Sequence, residues 1–129
     1  MIGGIAFDVI GKPVPKQSTR FSGQRAYPDP RVEAWQAAVT MAAKQAVNQI
    51  PWEVLSGSVA VNLEFRLPDR RRRDLDNLTK AVLDGCNKVI FEDDTQVGEL
   101  HIWKKVDRER PGVFVWVHPM ELNNDQDKN

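Results

Sequence analysis

The sequence predicts an α+β fold: one mixed sheet of about four strands with two helices packed on it, in the order β-α-β-α-β-β. Three observations carry this. Apolar and polar residues alternate over 2–10, 58–67, 97–106 and 113–118, the period of half-buried strands. Over 31–50 and from Leu75 to Lys88 or Val89, apolar residues recur every three or four positions instead, the period of a helix with one buried face. Prolines and glycines fall between these stretches.

The elements follow in chain order. In the first strand Ile5, Phe7 and Val9 alternate with Asp8, and the run Gly11-Lys12-Pro13-Val14-Pro15-Lys16 then forces an extended loop. Lys16 and Arg20 lie along that loop, either as a phosphate-tracking arm or as ordinary solvated cations. Tyr27-Pro28-Asp29-Pro30 is a turn in which Asp29 caps the first helix and Pro30 suits its first position. That helix is rich in alanine and stops before Pro51. Val59, Val61, Leu63 and Phe65 mark the second strand, which Pro68 ends. In the second helix Leu75, Leu78, Val82, Cys86 and Val89 form an apolar stripe opposite Asp76, Lys80 and Asp84. Residues 107–112, with a Pro-Gly, read as a hairpin between the last two strands. Trp103 and Trp116, on those strands, read as core or dimer interface rather than as platforms for bases.

Bulk properties set limits. The 129 residues are 41% hydrophobic and 28% charged, which predicts one domain over 1–120 and a polar tail over 121–129. Lys plus Arg and Asp plus Glu both number 18, yet the basic residues crowd at 66–73 and 104–105, and local fields rather than net charge steer a polyanion. A single cysteine excludes a disulfide framework within the chain. With no secretory leader pattern and no membrane-length apolar run, the expectation is a cytoplasmic protein without membrane contact. His101 and His118 lack the partners of a zinc site, and there is no glycine-rich phosphate loop or Ser or Cys nucleophile constellation.

Chemistry concentrates where the second strand meets the second helix. Arg70, Arg71, Arg72 and Arg73 offer planar donor forks that fit phosphate oxygens. Asp74 and Asp76 follow at once, and carboxylates repel phosphate unless a divalent cation lies between them. A solvated helix start, with Asp74 as cap and Asp76 favoured by the dipole, is the plainer reading. The further acids at Glu92-Asp93-Asp94 tilt the choice towards a site.

The run Leu67-Pro68-Asp69-Arg70-Arg71-Arg72-Arg73-Asp74-Leu75-Asp76-Asn77-Leu78-Thr79-Lys80-Ala81, with Asp84 beyond it and Asp93-Asp94-Thr95-Gln96-Val97 later, resembles the RusA family of Holliday junction resolvases. The close match covers roughly residues 67–97. The resemblance implies a small homodimeric, Mg²⁺-dependent endonuclease (with Mn²⁺ as substitute) acting on four-way junction or other branched DNA. Carried over by position, Asp74, Asp76 and Asp94 would be the essential carboxylates and metal ligands, Lys80 the catalytic lysine and Arg73 a DNA contact. Asp84 and Asp93 are expected beside them as supporting acids, and Arg70–Arg73 with Lys16 and Arg20 as the DNA-binding cations. Two other classes remain open: a non-catalytic binder of branched or single-stranded DNA, and a phosphohydrolase acting on free nucleotides.

Chain length bears on how Asp94 reaches the site. From Asp76 to Lys88 a helix spans about 18 Å at roughly 1.5 Å per residue, and six extended residues return about 20 Å at best. Asp94 is therefore expected to serve the partner's helix in a dimer.

Overall fold

The computed structural model describes residues 3–16, 20–22, 25–27 and 29–120, with only the backbone of 20–22 and 25–27. Strand β1 (Ile5–Ile10) leads to a small hairpin, β2 (Arg20–Ser22) and β3 (Arg25–Tyr27); helix α1 (Pro30–Asn48), β4 (Val59–Leu67), α2 (Leu75–Cys86), β5 (Val97–Val106) and β6 (Gly112–Pro119) follow. The main sheet is mixed, with spatial order β1-β6-β4-β5; β5 runs parallel to β4, and β6 antiparallel to both β4 and β1. The α+β class, the four strands and the two helices are as expected. The tail expected at 121–129 lies outside the described residues.

Two features differ from the expectation. The β2–β3 pair forms its own two-stranded sheet in a stretch read as loop and turn, because three-residue strands are too short to show a period. The segment 107–112 is no hairpin: β4 lies between β5 and β6, so this connection passes the end of β4. Arg66, on β4, secures the crossing. Its Nε donates to the Arg110 carbonyl at 2.8 Å, and its guanidinium pairs with Asp8 on β1 at 2.9 Å. Gly112 fits there because a Cβ would meet the Val9 carbonyl and the Arg66 guanidinium.

Both helices cover one face of the sheet. Val61, Leu63 and Phe65 of β4 and Val113, Val115 and Val117 of β6 are wholly buried against Val39, Leu78 and Val82 of the helices. Asp29 caps α1 by accepting from the Arg31 N–H. The helices touch at Gly85, where a Cβ would stand 2.7 Å from Val39 Cγ1; the Thr40 hydroxyl donates to the Gly85 carbonyl at 2.7 Å beside it. Glycine is thus required for close approach. Cys86 is buried, as its place on the apolar stripe of α2 implies, and burial pushes its thiol up to about 12. The opposite face of the sheet is open. Trp103 (57% exposed) and Trp116 (45%) lie there, so neither belongs to the core. Among the described residues no helix is long and apolar enough to cross a membrane.

Candidate active site

The parallel strands β4 and β5 end on the same side of the sheet, and the loop from β4 carries the arginine run into α2. Asp69 and Asp74 organise this loop. The Asp69 carboxylate accepts from the Arg71 N–H at 2.9 Å and pairs with Arg73 Nη1 at 2.9 Å. These contacts, the Arg73 bond first, hold its carboxyl below the usual carboxylate range. Arg73 also donates to the Arg71 carbonyl at 3.1 Å. It is half-buried and braces the loop, whereas Arg70, Arg71 and Arg72 are exposed and their guanidinium groups have no partner among the described residues.

Asp74 is the cap of α2. Its Oδ1 accepts from the backbone of Asp76 at 2.9 Å and of Asn77 at 3.3 Å, and its Oδ2 from the Asn77 side chain at 3.3 Å. First-turn N–H groups, favourable to phosphate at a bare helix start, are therefore already taken, which leaves the arginines to hold an anion. Asp76 differs. It is exposed, and no hydrogen bond or ion pair reaches its carboxylate among the described residues.

One turn further, the same stripe becomes a closed ionic network. Lys80 Nζ bonds Asp94 Oδ2 and lies 3.1 Å from Asp84 Oδ1. Asp84 Oδ2 in turn accepts from Lys16 Nζ at 2.6 Å and from Gln36 Nε2 at 3.5 Å. The Asp94 bond, with support from Asp84, raises the Lys80 pKa; the ammonium is fully protonated at neutral pH.

Lys16, expected on a phosphate-tracking arm, is drawn onto α2, and its backbone N–H also donates to the Asn77 carbonyl at 2.9 Å. Arg20 opens β2, with its side chain outside the described residues. Asp93 caps the 3-10 turn Asp94–Gln96, where Gln96 returns a bond to the Asp93 N–H. Its contacts with Thr95 hold the Asp93 carboxyl below the usual range. Gln96 further ties this turn to the carbonyls of Leu55 and Gly57 at 2.8 Å each.

This turn also gives Asp94 a contact within its own chain. Helix α2 ends at Cys86, not at Lys88 or Val89, and the chain reverses at once, the Lys88 N–H donating to the Phe91 carbonyl at 2.7 Å. Lys88, at φ 70°, makes that reversal. Asp94 thereby returns to Lys80 of its own chain and needs no partner for that contact.

The donor chemistry at the start of α2 fits a hard cation, which takes one or two protein carboxylates plus water and phosphate. The three-carboxylate set is not gathered, however: among the described residues no three His, Cys, Asp or Glu side chains stand close enough to hold a metal ion. Asp74 and Asp76 stand at the cap and in the first turn of α2, and Asp94 is bonded to Lys80.

Known proteins resemble this chain. The family model described as endodeoxyribonuclease RusA matches residues 10–118. A crossover junction endodeoxyribonuclease RusA of Aquifex aeolicus is 29% identical over 112 residues, 84% of this chain and 86% of that protein. Its namesake in Shigella sonnei is 41% identical over 73 residues, 56% of this chain and 58% of that protein. The Escherichia coli K12 protein of that name is 47% identical over 51 residues, 39% of this chain and 42% of that protein.

Proposed function

We propose, from the premise that this chain belongs to the endodeoxyribonuclease RusA family, that it resolves four-way DNA junctions by hydrolysing phosphodiester bonds symmetrically in two strands. A homodimer suits that task, since a two-fold enzyme offers the same site twice to a substrate of near two-fold symmetry. The single observation that carries the reading is Asp76: a carboxylate without a partner among the described residues, beside the capped Asp74 and downstream of three arginines likewise unpaired there.

Nucleases of this type are generally metal-dependent, and we take Mg²⁺ as the ion, with Mn²⁺ able to replace it. Asp74 and Asp76 would hold it. When bound, the ion supplies a water of lowered pKa and neutralises charge growing on the phosphate. The remaining work belongs to the chain itself. Bonds from the backbone of Asp76 and Asn77 fix the Asp74 carboxylate, so that part of the site is set before substrate arrives. Arg70, Arg71 and Arg72 hold the phosphate backbone without reading bases. Lys80, kept protonated and aimed by Asp94 and Asp84, stabilises the charge on the phosphate or the leaving oxygen. Arg73 acts on DNA through the loop it braces. Cytoplasmic DNA is the setting in which such a protein, with its one buried free thiol, would act.

The test uses a synthetic four-way junction, labelled in turn on each strand and incubated with the protein and Mg²⁺. Paired nicks at symmetry-related positions support the reading. Binding without nicks at any Mg²⁺ concentration would make the protein a binder only.

A further inference from the structure

At the end of the sheet that carries the arginine loop, two hollows share a border. One, of about 280 Å³, lies between Arg70 and Arg71 on the loop and Lys104 and Lys105 on β5. The other, of about 400 Å³, is lined by Lys104, Lys105, Glu64 and Trp103. Because both lysines line both hollows, the two form one trough from the loop that leads into Asp74 across the edge strand to an indole. Its charge is one-sided. The two carboxylates present are matched by cations of their own, Glu64 by Lys105 at 2.9 Å and Asp69 by Arg73 at 2.9 Å. Arg70, Arg71 and Lys104 are left without a partner among the described residues.

The far end is aromatic. Trp103 is 57% exposed, and the His101 ring lies beside it with centroids 6.3 Å apart and planes 23° from parallel. An indole so exposed, held roughly parallel to a second ring, can accept a further flat group. Unpaired cations at one end and an exposed aromatic at the other are the two parts from which single-strand sites are built: a groove that tracks phosphates and a face on which a base stacks. A base can stack there only where it has left its duplex, as at a branch point.

We infer that this trough holds a short unpaired DNA segment, with its phosphates on Arg70, Arg71 and Lys104 and one base on Trp103, and so leads that strand towards the Asp74–Asp76 end of α2. The inference rests on the junction reading and names the part of the substrate that this surface takes. A second copy of the chain is the competing occupant; the surplus of positive charge favours a polyanion over an identical surface, which would bring like charges together.

The experiment titrates the full-length protein, without divalent metal, with a four-way junction and with a linear duplex of the same sequence, reading tryptophan emission and affinity. Stacking quenches emission more on the junction than on the duplex. Trp103→Phe should lose that extra quenching and keep the affinity, since phenylalanine also stacks. Trp103→Ala should weaken junction binding about tenfold, the effect of one lost base stack, and leave duplex binding unchanged. Lys104→Ala should lower the log–log salt slope by about 0.7, the value for a single-strand phosphate. Unchanged junction affinity in Trp103→Ala overturns the inference, as does a Trp103→Ala protein that sediments as a smaller species, because the indole then belongs to a contact between copies. Nicking of the same junction by the wild type, run in parallel with Mg²⁺, separates these failures from failure of the junction reading itself.

Discussion

Asp76 and Asp84 lie two turns apart on one stripe of one helix, and they could hardly be treated more differently. Asp84 accepts from Lys16, Lys80 and Gln36, and its side chain is only 17% exposed. Asp76 is exposed and accepts nothing from the described residues. Near Asp76, Arg70, Arg71 and Arg72 likewise have no partner among the described residues; near Asp84 each lysine has its acid. Charge that the fold has already neutralised supports a structure, whereas charge left unanswered is available to a ligand. The helix is therefore two regions, an open end whose charge is unanswered among the described residues and a closed middle that fixes Lys80.

The largest expected effect lies at the open end. Asp76→Asn should cut junction nicking by more than about 100-fold, beyond the loss usual for a group that only supports a metal ligand. Junction affinity should hold or rise, because a repulsive charge is gone. Gel-shift and single-turnover assays on one preparation measure both, and near wild-type turnover would remove Asp76 from the open end.

Next comes the shared foundation. Leu78, wholly buried on the face of α2 opposite Asp76, should cost about 2–5 kcal/mol when replaced by alanine, read by urea unfolding. Asp76→Asn should leave the same curve almost unmoved. Asp84→Asn falls between them. Loss of an ion-pair network whose lysines are about half exposed should cost about 1 kcal/mol, discounted for solvent screening. The melting temperature should fall by roughly 4 °C, with slower nicking because Lys80 loses one of its two tethers. A stability change with no change in nicking would show that the closed middle does not serve the reaction.

Smaller effects sharpen the same contrast. Arg72→Ala should reduce the log–log salt slope of duplex binding by about 0.9, while Arg73→Ala should act mainly by loosening the loop. The pH dependence of stability reads the partnered groups. Asp69 and Asp93 are lowered from 3.8, so their contributions are present above that value and are lost as pH falls through their folded values. Lys80 is raised from 10.5; its contribution is full below that value and is lost as pH rises through the folded one. Melting temperatures should therefore fall at both extremes, with Asp93→Asn flattening the acid limb.

Much of this was legible in the sequence. The apolar stripe of α2 and the alternation of β4 place Asp74 at a strand-to-helix junction without any coordinates, and β5 has the expected bounds, Val97–Val106. What could not be read depends on contacts far apart in the chain. Lys16 and Asp84 are separated by 68 positions, and nothing local to either marks them as a pair. The place of β4 between β5 and β6 follows from sheet order, which a strand's own period does not record; with β5 at the edge, Trp103 and Lys104 became surface. The position of Asp94 turned on two residues at the end of α2, where Lys88 in a left-handed conformation reverses the chain, a backbone state that few non-glycine residues adopt.

The most direct test of the open and closed division is cation binding, read apart from catalysis. Mn²⁺ can be titrated into the wild type, Asp76→Asn and Asp84→Asn, each with junction DNA bound at a pH and temperature where nicking is slow, and bound metal followed by electron paramagnetic resonance. The account predicts that Asp76→Asn loses the protein-dependent binding and that Asp84→Asn retains it. Full binding by Asp76→Asn, or its loss in Asp84→Asn, would contradict the assignment of the open end as the place where metal and phosphate meet.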